Sequence, residues 1–406
     1  MHVVMLSDAE TSGGAAIAAS RLAEALVQAS VRVTRIVGNS DGQKHPWVTQ
    51  VLRTQLREEV ALKALESISK RLAIYARRRL VCQRLHDLLM KLHPDVINVH
   101  NLHSAGWPPD LLAVCARHAP TVWTLHDMWS FTGHCAYSYD CEKFVNGCDA
   151  ACSTSTEYPV LSPNCIADAW RCREKLLVKY QDLVAVCPSR WLAREATRGL
   201  WKGHRVEIIP NGLPLEVYRP IEKNLARMAL NIETPAPVVL TAAQDLNEQR
   251  KGSEILVKAL QKVSIRPFTL LTFGQGSLPV EIDDIWLHHL GYVNPERVKV
   301  LAYNAADLFV HPAPVDNLPN VVVEAIACST PVVGFAVGGV PDMVRPSQTG
   351  WLANEVSPDA LAAAIDTALT DLRYGVDLQG SCRAVAEAEY SSELQVRRYL
   401  DFFESL

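Results

Sequence analysis

The sequence predicts an α/β protein with two parallel, Rossmann-like sheets facing each other across a cleft. Three observations predict it. Short β-branched runs alternate with longer helical patterns along all 406 residues, the pattern of strands joined by crossover helices. The strands form two series separated by a stretch rich in turn formers, Ile209-Pro-Asn-Gly-Leu-Pro-Leu-Glu-Val-Tyr-Arg-Pro. The length suits two domains of ordinary size.

Taken in order, the first series opens with the apolar run Val3–Leu6. Gly13-Gly14 and an alanine-dense helix, Ala15–Leu26, follow it. The next strand is Arg32–Val37, and residues 53–91 are helical in pattern. Asp95–His100, Thr121–Leu125, Leu183–Val186 and Val206–Ile209 complete the series. The second series holds Val238–Ala242, the helix Ser253–Leu260, and the strands Thr269–Phe273, Trp286–Leu290, Leu308–His311 and Val332–Phe335. Tyr390–Leu406 reads as a closing helix. The expected domains are 1–217 and 218–389, with 390–406 as a terminal helix.

Composition narrows the function classes. Apolar residues make up 49% of the chain and charged residues 21%, ordinary for a protein with real cores. A formal net charge of −4 gives no electrostatic case for a nucleic-acid partner. The start, Met-His-Val-Val-Met-Leu-Ser-Asp, reads as a strand and not as a signal peptide. No apolar stretch is long enough to span a bilayer. The eleven cysteines then suit a reducing compartment, and the expected location is cytoplasmic.

The most informative stretch is 311–341. It places Asp316 and Glu324 at either end of a strand-exit loop and the helix that the loop opens. Pro319 suits a first helical turn, and Asp316 or Asn317 is placed to cap it. The helix start attracts anions, and a wholly helical segment would separate the two carboxylates by about 12 Å. A diphosphate can lie over Asn317, Leu318 and Pro319 with a hydroxyl-rich ring at each end. Lys251-Gly252, after the strand Val238–Ala242, can supply a cation to the same diphosphate. Open α/β sheets bind ligands beyond the carboxyl ends of their strands, so these residues should face the cleft.

Three first-half groups also sit at strand ends. Gly13-Gly14 allows close approach of a ligand to the backbone, with a plain tight turn as the alternative. His126-Asp127 ends one strand, and His100-Asn101 with His103 ends the one before it. Histidine there can bond a sugar hydroxyl or share a proton near neutrality. Loop packing is the bland alternative.

On these residues the chain resembles a family 4 glycosyltransferase of the GT-B fold, the class that includes exopolysaccharide and colanic-acid-type transferases. The matching pieces are Gly13-Gly14, His126-Asp127, Ile209-Pro-Asn-Gly, Arg250-Lys251-Gly252, Leu290-Gly-Tyr-Val, Ala306-Asp-Leu-Phe-Val-His-Pro and Asp316…Glu324-Ala. The resemblance implies that Glu324 binds the ribose hydroxyls and that Asp316 is the first acid of an E-x7-E motif holding the donor sugar. It implies that Lys251 binds phosphate. Ala243-Gln244 stands where the family usually has an arginine, leaving Arg250 as the substitute. Gly291, Tyr292 and Val293 would lie beneath the base, Gly14 would touch the donor, and His126 would lie near the reacting sugar. Gly13, His100, Asn101, His103 and Asp127 would be acceptor-side contacts. The family further implies a UDP- or GDP-sugar donor, retention at the anomeric carbon, no catalytic metal, and a last helix crossing back to the first domain.

Two features stand apart from that motif set. Cys135, Cys141, Cys148 and Cys152 lie in a short loop that buries little apolar surface. They suit a structural zinc ion, or an iron–sulfur cluster as second choice. Cys165 and Cys172 are reserves, and free buried thiols are the bland alternative. Residues 53–91 carry ten Lys or Arg against four Asp or Glu, and Ile68–Leu92 has an amphipathic pattern. Such a segment can lie on anionic lipid, placing the protein peripherally at the inner face of the cytoplasmic membrane, or it can be a core helix with a solvated face.

The expectation is a glycosyltransferase moving a sugar from a nucleotide sugar to a glycan or lipid-linked acceptor. A sugar-nucleotide epimerase and a non-catalytic sugar-binding or assembly protein are the rivals.

Overall fold

The computed structural model describes residues 1–406, except for the side chain of Arg71. The chain forms two compact units: Met1–Ile209 with Val396–Leu406, and Pro210–Gln395.

The first unit runs β1 (His2–Ala9), α1 (Gly14–Gln28), β2 (Arg32–Asn39), β3 (Val48–Val51), α2 (Leu56–Ile68), α3 (Lys70–Leu92) and β4 (Val96–Val99). It continues through α4 (Asp110–Cys115), β5 (Thr121–Thr124), α5 (Pro163–Lys179), β6 (Val184–Cys187), α6 (Arg190–Arg198) and β7 (Val206–Ile208). Its seven strands pair in parallel in the order β3-β2-β1-β4-β5-β6-β7.

The second unit holds α7 (Lys223–Ala229), β8 (Val238–Asp245), α8 (Ser253–Leu260), β9 (Phe268–Gln275), β10 (Ile285–His289), α9 (Glu296–Ala305) and β11 (Leu308–His311). After these come α10 (Asn320–Ala327), β12 (Val332–Phe335), α11 (Val340–Met343), β13 (Gly350–Ala353), α12 (Pro358–Arg373) and α13 (Gln379–Glu389). Its six strands are parallel in the order β10-β9-β8-β11-β12-β13. Each sheet is a doubly wound, Rossmann-like sheet with helices on both faces. That explains why central strands such as Val96–Val99 and Leu308–His311 are buried at every residue.

The units divide earlier than the expected boundary at 217. Leu213, Leu215 and Tyr218 belong to the second core. The Leu213 N–H donates to the Tyr390 carbonyl at 2.8 Å, and the Ser392 N–H donates to the Leu213 carbonyl at 3.1 Å. These two bonds also explain why residues 390–395, expected in the terminal helix, sit in the second unit. The closing helix α14 (Ser392–Glu404) returns to the first unit at Val396. There Val396, Tyr399, Phe402 and Phe403 cover one face of the first sheet with Val3, Met5, Val122, Val184 and Val186.

Two edge strands were not anticipated, β3 and β13. Val48 and Val51 are exposed, and Gly350-Trp-Leu-Ala lacks a β-branched run. The expected continuous helix over 53–91 is broken at Ser69, whose side chain caps α3 by accepting the Leu72 N–H. Val81, Leu85 and Leu89 pack α3 into the core. Several cations of the presumed basic face are already paired, Arg77 with Glu59, Arg84 with Glu58 and Arg78 with Asp110. Leu72, Ile74 and Tyr75 are instead more than half exposed. Among the described residues no helix is long and apolar enough to cross a membrane.

Tyr399 is fully buried, and its hydroxyl bonds Thr124 Oγ1 at 2.9 Å. Truncating a buried aromatic leaves a cavity and strands its partner, at a cost of about 3–5 kcal/mol. Tyr399→Ala should lower the urea midpoint of the first unit accordingly. A midpoint within error of the parent would mean that the returning helix contributes nothing to that sheet.

Candidate functional site

In the second sheet the strand order reverses between β8 and β11. Ligands of open α/β sheets settle outside the carboxyl ends of the strands at such a point. The exit of β8 leads to a tight turn, Gln249–Lys251, and that of β11 leads to Asp316. Gly252 joins these two exits. Its φ is +77°, and a β-carbon there would overlap the Pro312 carbonyl, so only glycine lets the turn sit against the β11 loop.

That approach brings Lys251 Nζ to donate to Asp316 Oδ2 at 3.0 Å. Arg250 lies 3.9 Å from the same oxygen while pairing with Glu248 at 2.8 Å. Asp316 Oδ1 accepts the Asn317 N–H at 2.9 Å, and the Asp316 carbonyl accepts the Gly339 N–H at 3.0 Å. Burial opposes ionisation of Asp316, but Lys251, Arg250 and His311 outweigh it, holding the carboxyl well below the usual range. His311 Nε2 lies 3.7 Å from Asp316 Oδ2 and is buried without a hydrogen bond. Burial brings this ring down to about 4, against the pull of Asp316.

Glu324 is buried on α10 and accepts the Tyr303 hydroxyl of α9 at 2.9 Å. Burial first, and then this carboxylate, holds the Tyr303 phenol well above its ordinary value.

Several expectations need correcting. The helix begins at Asn320, with Pro319 just before it instead of inside its first turn. Asp316 is turned elsewhere, its carboxylate meeting Lys251 and the Asn317 N–H. The segment between Asp316 and Glu324 is loop in its first half, so the wholly helical spacing does not apply. Leu318 and Val293 are buried in the second core, leaving only their backbones for a ligand. Gly291, Tyr292 and Val293 follow the edge strand β10, which β9 separates from β8. Tyr292 is exposed there. Gly14 begins α1 in the first unit, whereas the other donor candidates lie in the second.

The first sheet reverses between β1 and β4, and its candidates gather at those exits and that of β5. Gly13 precedes α1 with φ +90° and open space where a β-carbon would stand, so the backbone turn demands the glycine. His100 Nδ1 and His126 Nε2 are 2.9 Å apart, one ring donating and the other accepting. His103 Nε2 lies 2.9 Å from Asp127 Oδ2, and Asn101 Nδ2 is 3.5 Å from the same oxygen. Asp127 Oδ1 accepts the Trp129 N–H. Burial alone would lower His103, but Asp127 beside it raises the ring above its ordinary value. Burial would raise Asp127, and His103 holds it down. Burial brings His126 to about 4 and drives His100 well down as well. Two neutral rings therefore share one hydrogen.

Sequence reasoning missed His311, Tyr303, Asp8 and Tyr158. Asp8 Oδ2 accepts the Ser104 N–H at 3.2 Å, and the Tyr158 hydroxyl bonds His103 Nδ1 at 2.9 Å. Asp8 and His311 each end a strand, a position that could have flagged them. Tyr303 and Tyr158 are brought in by tertiary folding alone.

The four expected thiols, Cys135, Cys141, Cys148 and Cys152, line one small pocket. Cys165 and Cys172 lie exposed on α5 and away from that lining, so they are not its reserves. His134 joins Cys135 and Cys152 in a cluster of mutually close ligand atoms.

Comparison with known proteins adds the following. Residues 12–217 match the family described as Glycosyltransferase Family 4, and residues 236–371 match Glycosyl transferases group 1. The chain is 26% identical over 326 residues to a putative colanic acid biosynthesis glycosyl transferase, WcaC, of Escherichia coli, covering 77% of each chain. It is 30% identical over 198 residues to the D-inositol 3-phosphate glycosyltransferase of Mycobacterium marinum, covering 46% of this chain and 41% of that one. Among solved structures, sucrose-phosphate synthase of Thermosynechococcus elongatus superposes with a TM-score of 0.75 at 20% identity, over 100% of this chain and 98% of that one. Anabaena Alr3699/HepE in complex with UDP-glucose gives 0.69 at 17% identity, over 100% of both chains. Both relatives and both families are glycosyltransferases by description, and the fold is GT-B.

The depressed pKa of His126 sets a pH dependence. A histidine held neutral contributes stability that is present above its unfolded value of about 6.5 and lost as pH falls through about 4. Urea midpoints should decline from pH 7 to pH 4, and His126→Gln should flatten part of that decline. Ring NMR signals of His126 titrating near 6.5 would contradict the assignment.

Proposed function

Since the chain belongs to glycosyltransferase family 4, we propose that it is a retaining hexosyltransferase that uses a UDP- or GDP-sugar to extend a glycan or lipid-linked acceptor in polysaccharide biosynthesis. The observation that carries this reading is the convergence of Lys251, Arg250 and Asp316 at the reversal point of the second sheet. An incoming diphosphate supplies Lys251 and Arg250 with the counter-charge that Asp316 now gives. The Asp316 carboxylate, left in place as Lys251 turns away, then accepts the hydroxyls of the donor sugar. Glu324 accepts the ribose hydroxyls, at the other end of the same segment.

Chemistry follows from that placement. As the bond from the anomeric carbon to the diphosphate oxygen breaks, negative charge builds on the leaving group. Fixed cations stabilise it without reorganising. The acceptor oxygen attacks the same face of the sugar, and its proton passes to the departing phosphate oxygen, so no covalent enzyme intermediate forms. No step requires a divalent metal, because Lys251 and the start of α10 face the developing charge. Neutral His126 is suited to bonding a sugar hydroxyl at the exits of the first sheet. His100, Asn101, His103, Asp127 and Gly13 order the acceptor side. A nucleotide-sugar donor is supported by the UDP-glucose held in the Anabaena protein, and a polysaccharide product by the name of the Escherichia coli relative.

The same reading places the protein in the cytoplasm, peripheral at the membrane. The segment Ile68–Leu92 supports it with exposed Leu72, Ile74 and Tyr75. Anionic vesicles should sediment the protein at low salt, and Leu72→Ser with Ile74→Ser should reduce that fraction several-fold. No sedimentation of the parent protein would remove the membrane from the proposal.

A ribose-binding carboxylate makes charge-assisted hydrogen bonds worth about 1.5–3 kcal/mol, or roughly 10- to 100-fold in affinity. Glu324→Ala should weaken nucleoside diphosphate binding by that factor in calorimetry, and Lys251→Ala should lower kcat/KM. Unchanged affinity in Glu324→Ala would count against the site. Nucleotide release that requires a second carbohydrate distinguishes transfer from epimerisation, and its absence with every carbohydrate tried would favour a non-catalytic binding role.

A further inference from the structure

We infer that the loop from His134 to Cys152 is a structural zinc site whose ligands are His134 Nε2 and the thiolates of Cys135, Cys148 and Cys152. An iron–sulfur cluster is the rival for the same thiols.

The loop gives the site its reason. Between Gly133 and Tyr158 the regular structure is one short turn, Lys143–Val145, and its buried apolar anchors are few. Phe144 ties its middle to the first core, and the cysteines lie on either side of that anchor. The His134 ring supplies the first clue. Its Nδ1 lies 2.8 Å from the Pro159 carbonyl oxygen, which can only accept, so Nδ1 carries the hydrogen. In the neutral ring Nε2 then carries the lone pair. A backbone carbonyl on the far nitrogen is the usual support of a metal-binding histidine.

The distances fit zinc. Nε2 of His134 is 3.4 Å from Cys152 Sγ, and Cys152 Sγ is 4.0 Å from Cys135 Sγ. Zinc bonds sulfur at about 2.3 Å and imidazole nitrogen at about 2.0 Å. A tetrahedron therefore has edges of about 3.8 Å between sulfurs and about 3.5 Å from sulfur to nitrogen. Both observed separations lie close to those edges. The two sulfurs are about twice a disulfide bond length apart, and both are free thiols.

The remaining groups complete the shell. The fourth position falls to Cys148, which lines the same pocket as Cys141 does but whose sulfur also accepts the Gly133 N–H at 3.2 Å. Thr154, buried beside the pocket, places its hydroxyl 2.9 Å from Cys135 Sγ and 3.4 Å from Cys152 Sγ. Three thiolates and a neutral imidazole on a divalent ion leave one negative charge. Arg173, buried, donates to the Thr132 and Gly133 carbonyls and lies over the Trp129 ring at 4.0 Å. A buried guanidinium is costly without counter-charge, and the anionic zinc centre would add to what Asp127 supplies. Binding releases the three thiol protons to solvent.

The ion also has a place in the wider architecture. His134 grips Pro159, and the next residue back, Tyr158, bonds His103 of the His103–Asp127 pair. Zinc would hold that hydroxyl in position. This consequence rests on the acceptor-side reading, whereas the metal site itself does not.

Elemental mass spectrometry on the full-length protein, purified without chelator, tests the site directly. The expected result is one zinc per chain. Cobalt replacement should give the visible bands of a tetrahedral centre with sulfur-to-metal charge transfer. Cys152→Ser should lose the metal, and Cys165→Ser, exposed on α5, should keep it. Zinc far below one per chain, or a brown protein containing iron, overturns the proposal, as does equal loss from both variants. If Cys152→Ser does not fold, the zinc content and cobalt spectrum of the parent chain decide the matter alone.

Discussion

The ion pair between Lys251 and Asp316 is the constraint around which the exits of β8 and β11 are arranged. A buried carboxylate stays charged only if a cation meets it, and removing one partner of such a pair costs about 3–5 kcal/mol where burial is complete. Lys251 is partly exposed, so its side of the pair is weaker and more easily exchanged. That asymmetry suits a ligand site. The acid is fixed in the loop by its own backbone contacts, and on the proposed reading the lysine changes partners when an anion arrives. Gly252 makes this possible, because any side chain there would push the lysine-bearing turn off Pro312.

Both units use the same architectural device. In each sheet the strand order reverses once near the middle, and the exits on either side of that reversal carry the polar residues. Asp8, His100 and His103 flank it in the first unit, and Lys251 and Asp316 flank it in the second. Parallel strands leave their polar ends at one edge, and diverging helices open a crevice there. The chemistry differs, with paired histidines and a carboxylate in one unit and cations around an acid in the other.

The central strands were legible because full burial leaves uninterrupted apolar runs, as in Leu308–His311 and Val332–Phe335. Edge strands escaped because pairing on one side tolerates Val48-Thr-Gln-Val and Gly350-Trp-Leu-Ala. Asp316, Glu324 and Lys251 could be singled out from strand-exit position and motif spacing. Pro319 stands one residue before α10, not inside its first turn, and the loop places Asp316 against Lys251, a partner 65 residues away. Tyr303 and Tyr158 carry no local signal, since each reaches its partner only once distant segments pack. His134 was hidden beside Cys135, although its ring nitrogen closes the thiol cluster more tightly than two of the four cysteines proposed from spacing. The seam moved because Leu213 hydrogen-bonds Tyr390 and Ser392, a pairing no linear pattern announces.

The most direct test is a crystal structure of the chain with a nucleoside diphosphate bound. The account predicts that the diphosphate contacts Lys251 and Arg250, that Lys251 has turned from Asp316 towards phosphate, and that Glu324 meets the ribose. A nucleotide bound elsewhere, with Lys251 still 3.0 Å from Asp316 Oδ2, would contradict it.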